Sequence, residues 1–235
     1  MNTYTSAPVA PLLDRLFAEA DAASPLASPA FASLSADERQ RLMRSKAGYR
    51  ELYADLKAFA LPVSRETGRL LYMLARASRA QSIVEFGTSF GLSTIHLAAA
   101  LRDTGGGRVI TTEFEPSKVA RARENLTAAG LADLVEFREG DALETLASGL
   151  PETIDLLLLD GAKSLYLDIL VLVESRLRTG ALIVADNADY CPEYLDYVGS
   201  SENGYLTMPF TDDVELTIRT GAITPAAGSP GQGLP

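Results

Sequence analysis

Short apolar runs alternate with helical patterns from residue 82 onward. The runs are SIVEF, GRVITTEF, LVEFR, TIDLLLLD and ALIVADN. Strands without in/out alternation, each followed by a helix, indicate a parallel sheet that is covered on both faces. The last two runs, GYLTMPF and VELTIRT, are joined only by Thr211–Asp213. So short a link predicts an antiparallel hairpin at the end of the sheet.

The first 80 residues carry helical rather than strand patterns. We expect an amphipathic helix over Leu12–Ala22 and a longer helix over about Ala36–Phe59. Ser35 and Glu38 form a capping-box pattern at the start of the second helix. The chain is therefore expected to fold as an α/β protein in three parts, namely an N-terminal helical cap (1–60), a sheet domain (61–221) and a disordered tail (222–235).

Composition narrows the possible functions. The 235 residues include 31 acidic and 21 basic side chains, which gives a formal net charge of −10. Such a chain is a poor partner for nucleic acid or an anionic membrane surface. Cys191 and His96 are the sole cysteine and histidine, which excludes an internal disulfide, a thiolate zinc cluster and a multi-histidine metal site. His96 lies in an apolar helical pattern and is predicted to be structural.

The N-terminus has no signal-peptide pattern and no apolar run reaches the length of a membrane span. We therefore expect a cytoplasmic protein.

A glycine-bearing loop follows the first predicted strand. Its spacing is E-x-G-x-x-x-G, from Glu85 through Gly87 to Gly91, which differs from the dinucleotide pattern G-x-G-x-x-G. Ligands of open α/β sheets bind beyond the carboxyl ends of the strands, so this loop is a candidate binding element. An ordinary strand-to-helix turn is the alternative.

Acidic residues end the second and third predicted strands. Glu113 ends the second apolar run and suits the two hydroxyls of a ribose. Glu115 competes for that role, although a helix cap suits it better. Asp141, within Gly-Asp-Ala, suits an adenine amino group, and a helix N-cap explains it equally well.

The ends of the fourth and fifth strands carry the sharpest signal. Asp160 ends one strand, and Asp186 and Asn187 end the other. Two carboxylates and an amide suit a hard cation such as Mg²⁺ or Ca²⁺. Helix capping by Asp160 and a turn at Asp186-Asn187 are the alternative. Lys163 lies on the same rim, where a solvated charge competes with a role as proton acceptor.

Aromatic residues on the long N-terminal helix are a further feature. Tyr49 and Tyr53 have helical spacing and are predicted to pack against the body of the protein rather than to contact substrate.

Taken in order, these segments resemble one known family. LPVSRETGRLL, IVEFGTSFGLST, ITTEFEPSKVARARENL, GDA, LLLDGAK and VADN are similar to the class I S-adenosylmethionine (SAM)-dependent O-methyltransferases of the cation-dependent catechol and caffeoyl-coenzyme A type. The resemblance covers about residues 61–220. It implies a Rossmann-like seven-stranded, mostly parallel sheet with a reversed last strand, and an assembly that is commonly a homodimer.

The resemblance also implies roles for individual residues. The residues that match the cofactor-binding positions of the family are Val63, Glu85, Gly87, Ser93, Glu113, Asp141, Ala142 and Asp160. Asp160, Asp186 and Asn187 match the ligands of a divalent cation, which would be Mg²⁺, Ca²⁺ or Mn²⁺. Lys163 matches the catalytic base.

The expected activity is methyl transfer from SAM to a hydroxyl of a small aromatic acceptor, such as a catechol. A metal-independent methyltransferase that acts on a carboxyl, nitrogen or carbon acceptor through the same cofactor pocket is the main alternative. A nucleotide-dependent oxidoreductase is disfavoured because Ser89 stands where the dinucleotide pattern needs glycine. A non-catalytic interaction protein would not need Asp160, Lys163, Asp186 and Asn187 together.

Overall fold

One seven-stranded sheet organises the chain. The computed structural model describes residues 2–23 and 28–221, so the predicted tail at 222–235 lies outside the described residues. The strands are β1 (Ser82–Phe86), β2 (Arg108–Glu113), β3 (Val135–Glu139), β4 (Ile154–Leu159), β5 (Leu177–Asp186), β6 (Tyr205–Pro209) and β7 (Val214–Arg219).

The strand order is β3-β2-β1-β4-β5-β7-β6. Strands β1 to β5 pair in parallel, whereas β7 pairs antiparallel to both β5 and β6. The predicted Rossmann-like sheet with a reversed last strand is therefore confirmed. The chain crosses from β3 back past β1 to β4, so a topological switch point lies at the carboxyl ends of β1 and β4, where open α/β sheets bind ligands.

Helices cover both faces of the sheet. They are α1 (Val9–Ala22), α2 (Pro29–Ala32), α3 (Ala36–Met43), α4 (Tyr49–Asp55), α5 (Arg65–Ala77), α6 (Leu92–Thr104), α7 (Pro116–Ala128), α8 (Ala142–Thr145), α9 (Tyr166–Val173) and α10 (Pro192–Gly199). Leu156 and Leu158 of β4 pack on the side of α1, α5 and α6, while Leu157 and Leu159 pack on the side of α9 and α10. All six residues of β4 are buried, which explains the apolar run at residues 156–159.

The long helix predicted over Ala36–Phe59 is wrong as a single element. Its start is correct, because Ser35 and Glu38 form the predicted capping box. The helix then breaks after Met43, where the Ser45 hydroxyl accepts hydrogen bonds from the backbone N–H groups of residues 47 and 48. Such local bonds compete with the helical pattern. The break redirects α4 across the carboxyl edge of the sheet.

His96 is buried in the core, as the sequence predicts. It is 1% exposed, its Nδ1 lies 2.8 Å from the carbonyl oxygen of Leu92, and its ring packs against Tyr4 and Phe17. Burial lowers the pKa of His96 to about 4.

No helix in the described ranges combines the length and apolar character needed to cross a membrane.

The neutral state of His96 predicts a pH-dependent stability. Its pKa is about 6.5 when unfolded and about 4 when folded, so the unfolded chain binds more protons between these values. The contribution of His96 to the free energy of unfolding is fully present above about pH 6.5 and falls as the pH drops toward 4. As the pH falls from 7 to 5, the protonation of His96 in the unfolded chain lowers the free energy of unfolding by about 2 kcal/mol.

Urea unfolding of the wild type and of His96→Phe at both pH values measures this effect. Phenylalanine fills similar space and does not titrate, so the variant is expected to lose about 2 kcal/mol less than the wild type over this interval. Equal losses in the two proteins would contradict the buried neutral histidine.

Candidate active site

The loop between β1 and α6 is shaped by two close packing contacts. A Cβ on Gly87, which has φ +103°, would lie 2.5 Å from the backbone oxygen of Asp160. A Cβ on Gly91, with φ +83°, would lie 2.8 Å from the side chain of Leu126. Both positions therefore need glycine. The backbone N–H of Asp160 also donates to the carbonyl oxygen of Phe86 at 2.8 Å, which joins the loop to the end of β4.

Glu85 lies beneath this loop rather than on the wall of a cavity. Its carboxylate is fully buried and accepts hydrogen bonds from the hydroxyls of Ser93 and Thr94, both at 2.6 Å. Burial raises the pKa of Glu85, and these hydroxyls oppose that shift. Glu85 and Ser93 thus tie the strand to the first turn of α6. Val63, another predicted cofactor residue, is 1% exposed within the core.

A cavity of about 650 Å³, partly open to solvent, lies at the carboxyl ends of β1, β2, β3 and β4. Five of the eight predicted cofactor-binding residues line it. They are Gly87, Glu113, Asp141, Ala142 and Asp160. Val63, Glu85 and Ser93 are not among its lining residues. Their predicted contact with the cofactor stays a prediction.

Glu113 is held in one orientation at the end of β2. Its carboxylate accepts hydrogen bonds from the backbone N–H groups of Ser89 at 2.9 Å and Glu115 at 3.1 Å. Burial raises its pKa, while the charge of Lys118 and these backbone groups lower it. Glu115 itself caps α7, where its side chain accepts from the N–H of Ser117. The capping role expected of Glu115 is therefore confirmed, while the ribose-binding role of Glu113 stays a prediction.

Asp141 caps a helix and also lines the cavity, while its predicted contact with adenine stays a prediction. Its carboxylate caps α8 by accepting from the N–H of Leu143 at 3.0 Å, and the residue also lines the cavity. The hydroxyl of Tyr49 donates to its other oxygen at 3.0 Å, and Arg50 forms an ion pair with it. Helix α4 is thereby fastened across one end of the cavity.

Tyr53, one helical turn further on, donates a hydrogen bond to the backbone oxygen of Gly161 at 3.3 Å. Sequence reasoning assigned Tyr49 and Tyr53 to packing, yet both line the cavity. Their spacing of four residues on one helix face was the available signal. It did not reveal which surface the helix would cover.

The predicted metal and base residues converge in one buried cluster. Lys163 donates to Asp160 at 2.8 Å and lies 3.8 Å from the nearer oxygen of Asp186. The side chains of Lys163 and Asp160 are 6% and 8% exposed. Adjacent parallel strands β4 and β5 end side by side, which brings residues so distant in sequence together.

Charges within this cluster are strongly coupled. Burial raises the pKa of Asp186 to about 7, and the neighbouring charge of Asp160 adds to the shift. Burial opposes the charge of Lys163, but Asp160 and Asp186 outweigh that effect and raise its pKa. Lys163 is therefore protonated in this arrangement, as the partner of two crowded carboxyl groups.

Asn187 lies beside this cluster in a left-handed backbone conformation with φ +53°. Its amide nitrogen donates to Asp213 at 3.1 Å, which leaves the amide oxygen as the atom available to a cation. In the described part of the chain, no three His, Cys, Asp or Glu side chains converge as a metal-binding group. A third protein ligand beside Asp160 and Asp186 would therefore have to be an amide, hydroxyl or backbone oxygen.

A second cavity, of about 1110 Å³ including space open to solvent, adjoins the first. Its polar end holds Asp160, Lys163, Asp186 and Asn187. The remainder of its wall comes from the N-terminal helices and the segment after them, and consists mainly of Ala20, Asp21, Ala23, Phe31, Met43, Tyr53, Leu56, Ala60, Leu61 and Pro62. Tyr53, Leu61 and Asp160 line both cavities. The site therefore offers two adjoining compartments, with an acidic cluster where they meet.

Comparison with known proteins identifies the family of this site. A family model described as a methyltransferase domain matches residues 84–188. A catechol O-methyltransferase from Bos taurus is 30% identical in an alignment 190 positions long, and the match covers 74% of this chain and 69% of the relative. The chain belongs to the class I SAM-dependent O-methyltransferases of the catechol and caffeoyl-coenzyme A type.

Two further relatives support this assignment. A catechol O-methyltransferase from Niastella koreensis is 37% identical over 131 residues, and the match spans 54% of this chain and 58% of that protein. The chain thus covers less than two thirds of that relative. The solved structure of the O-methyltransferase TomG from Streptomyces achromogenes, in complex with SAM, has a TM-score of 0.59 and 28% identity. The match covers 83% of this chain and 96% of the TomG chain.

The free energy of unfolding tests whether the charges of Asp160, Lys163 and Asp186 interact. Lys163→Met keeps the length of the side chain but leaves two adjacent buried carboxyl groups without their cation. In buffer containing a chelator, we expect the free energy of unfolding to fall by about 3 kcal/mol. Adding Asp186→Asn to this variant removes one of the two carboxylates and is expected to restore at least about 1 kcal/mol.

Urea unfolding of the wild type, both single variants and the double variant completes this cycle. If the two substitutions lower stability by amounts that simply add, the three groups are not coupled and the described cluster is wrong.

Proposed function

We propose that the protein transfers the methyl group of SAM to a hydroxyl of a small aromatic acceptor with adjacent hydroxyls, such as a catechol. The observation that carries the proposal is the pair of adjoining cavities that share Asp160. One has the features of a nucleoside site, and the other carries Lys163 and Asp186 beside an apolar wall. Methyl transfer requires two bound reactants held in contact.

The first cavity suits SAM. Glu113, oriented by two backbone N–H groups, is assigned to the ribose hydroxyls, and Asp141 with Ala142 to the adenine. Asp160 is assigned to the amino group of the methionyl part. Gly87, which lines this cavity, is assigned to the same part. The SAM complex of the structural relative TomG supports this choice of cofactor.

The second cavity suits a flat, largely apolar acceptor with a polar edge. Phe31, Met43 and Leu56 form part of its wall, and the polar groups lie at one end. Two relatives with detectable sequence identity are named catechol O-methyltransferases, which supports adjacent aromatic hydroxyls as the reacting group.

The donor atoms at the polar end fit a divalent cation, which we propose to be Mg²⁺, Ca²⁺ or Mn²⁺. Two carboxylates and one amide oxygen are the ligand types that such ions prefer. Asp160, Asp186 and Asn187 would hold the ion. When bound, the ion would supply positive charge that lowers the pKa of a coordinated hydroxyl.

Lys163 is assigned the role of general base. Its ammonium is held at the junction of the two cavities by Asp160. For this role Lys163 must first release its ammonium proton to solvent, which the like charge of a bound cation would favour by lowering the pKa of Lys163. Neutral Nζ would then take the proton of the acceptor hydroxyl. The acceptor oxygen would then form a bond with the methyl carbon as the carbon–sulfur bond breaks, which leaves S-adenosylhomocysteine (SAH). Tyr53 and the apolar wall would keep water from this junction.

A metal-independent methyltransferase is the second candidate. The pairing of Lys163 with both Asp160 and Asp186 compensates part of their negative charge without an added ion, which favours this candidate. It would act on a carboxyl, nitrogen or carbon acceptor through the same cofactor cavity, and its activity would be indifferent to chelators.

We further propose that residues 1–60 act as a cap over the acceptor side of the methyltransferase domain at residues 61–221, and that the protein works as a cytoplasmic homodimer. The contribution of α1, α2, α3 and α4 to the second cavity supports the cap. The homodimer is proposed because that assembly is common in the family.

Turnover measurements test the proposed function. The wild type, after chelation and addition of Mg²⁺, Mn²⁺ or Ca²⁺, is expected to methylate members of a catechol panel, detected by mass spectrometry. Lys163→Met is expected to lower kcat at least about 100-fold, because a general base is removed. Its dissociation constant for SAM should change less than about threefold. Asp160→Asn and Asp186→Asn should also reduce turnover.

Asp189→Asn is the matched control, since Asp189 is an exposed acid near the cluster and should leave turnover unchanged. Activity that persists in a chelator would favour the metal-independent candidate. Failure to methylate any hydroxyl acceptor with each ion present would refute the proposed reaction.

A further inference from the structure

The link between β6 and β7 carries an acid that the proposed mechanism does not use. Asp213 is the last residue before β7, and the antiparallel pairing of β7 with β5 places Val214 opposite Asp186. Asp213 therefore lies beside Asn187, the residue that follows β5. The closing hairpin thus reaches the same edge of the sheet as the proposed cation ligands.

The backbone around Asn187 is held in place. The N–H of Ala188 donates to the backbone oxygen of Asp213 at 2.9 Å, and the N–H of Tyr190 donates to the backbone oxygen of Asn187 at 3.2 Å. Asn187 adopts φ +53°, a conformation that asparagine tolerates better than most residues. What remains to be fixed is the rotation of its side chain, whose terminal torsion has broad preferences.

The rotation of this amide decides which atom a cation would meet. The amide oxygen can coordinate a hard ion, whereas the NH₂ group is a donor and cannot. A carboxylate only accepts hydrogen bonds, and Asp213 accepts one from the amide nitrogen of Asn187 at 3.1 Å. The nitrogen is thereby held at Asp213, and the oxygen is left for the cavity that Asn187 lines together with Asp160 and Asp186.

The carboxylate of Asp213 is itself oriented. Its other oxygen accepts a hydrogen bond from the hydroxyl of Thr211 at 2.8 Å, and that hydroxyl accepts from the N–H of Val214 at 3.2 Å. A turn alone would need only these bonds within the link. The bond to Asn187 crosses from the hairpin to the end of β5, 26 residues away along the chain, and acts on the acidic cluster.

We propose that Asp213 is a positioning residue for the divalent cation, because it orients the amide of Asn187 with its oxygen toward the ion. The inference rests on the proposed function only in taking Asn187 as a ligand of such a cation. Groups that orient metal ligands typically contribute about tenfold or more to metal affinity. Asp213 does not touch the ion and takes no part in proton transfer.

Titration with Mn²⁺ alone, followed by the electron paramagnetic resonance signal of the free ion, tests the proposal. In Asp213→Ala, the dissociation constant for Mn²⁺ is expected to rise at least about tenfold, because the amide is no longer oriented. Asp213→Asn removes the charge but keeps an oxygen that can accept from Asn187, and it should stay within about threefold of the wild type. A salt concentration of about 0.3 M screens the exposed charges in every titration.

Asp212→Ala is the matched control, because Asp212 is an exposed acid in the same link and the substitution removes one negative charge. It should bind Mn²⁺ like the wild type. Calorimetry should give each variant the wild-type affinity for SAH, since neither Asp212 nor Asp213 is a lining residue of the first cavity. Asp213→Leu, whose side chain likewise cannot accept a hydrogen bond, takes the place of Asp213→Ala if that variant does not fold.

Equal weakening of Mn²⁺ binding by Asp213→Asn and Asp213→Ala would overturn the proposal, because loss of charge rather than loss of orientation would then explain the effect. Wild-type affinity for Mn²⁺ in Asp213→Ala would overturn it as well. A tenfold loss in Asp213→Asn contradicts the orienting role even without the other variants.

Failure of the proposed function is recognisable separately. Wild-type protein that binds Mn²⁺, with the expected order among the variants, but methylates no acceptor would refute the reaction and leave the role of Asp213 intact. Wild-type protein that binds no Mn²⁺ would refute the cation site and this inference with it.

Discussion

The burial of charge at the ends of β4 and β5 is the constraint on which the site depends. Asp160 and Asp186 are brought together because two neighbouring parallel strands end at the same edge, and Lys163 compensates them. Removing three ionisable groups from water costs more than their attraction returns unless the geometry is good. The apolar helices on both sides of the sheet hold that geometry, and the same edge supplies the shared wall of the two cavities.

The sheet could be predicted from the sequence because each strand carries its own local signal. The apolar run of β4 reflects burial on both faces, and the short link before β7 leaves only an antiparallel pairing. Helix α4 could not be predicted in the same way. Its position depends on Tyr49 and Arg50 reaching Asp141, some ninety residues away, and a sequence pattern does not encode such a contact.

The candidate site was predicted best where a residue directly ends a strand. Glu113, Asp160 and Asp186 lie at the sheet edge because the strand itself carries them there. The side chain of Glu85 turns into the core, toward Ser93, and its predicted role in cofactor binding stays a prediction. Lys118 was missed because a lysine in a first helical turn is ordinarily solvated, and only the packed structure reveals that it is buried.

Two groups of charged side chains meet at Asp160. Lys118 and Glu113 line the first cavity with it, and Lys163 and Asp186 line the second. On this view, SAM and a divalent cation would each complete a charge pattern that the protein leaves partly uncompensated. The N-terminal helices line the second cavity and, in the proposed role as a cap, would determine which acceptors enter.

A crystal structure of the protein grown with SAH and Mn²⁺, with anomalous diffraction recorded for manganese, tests this account most directly. The expected result is one anomalous peak from an ion that is coordinated by oxygens of Asp160, Asp186 and Asn187, beside SAH in the first cavity. An anomalous map without a peak at these residues, with Lys163 still paired to both carboxylates while SAH is bound, would contradict it.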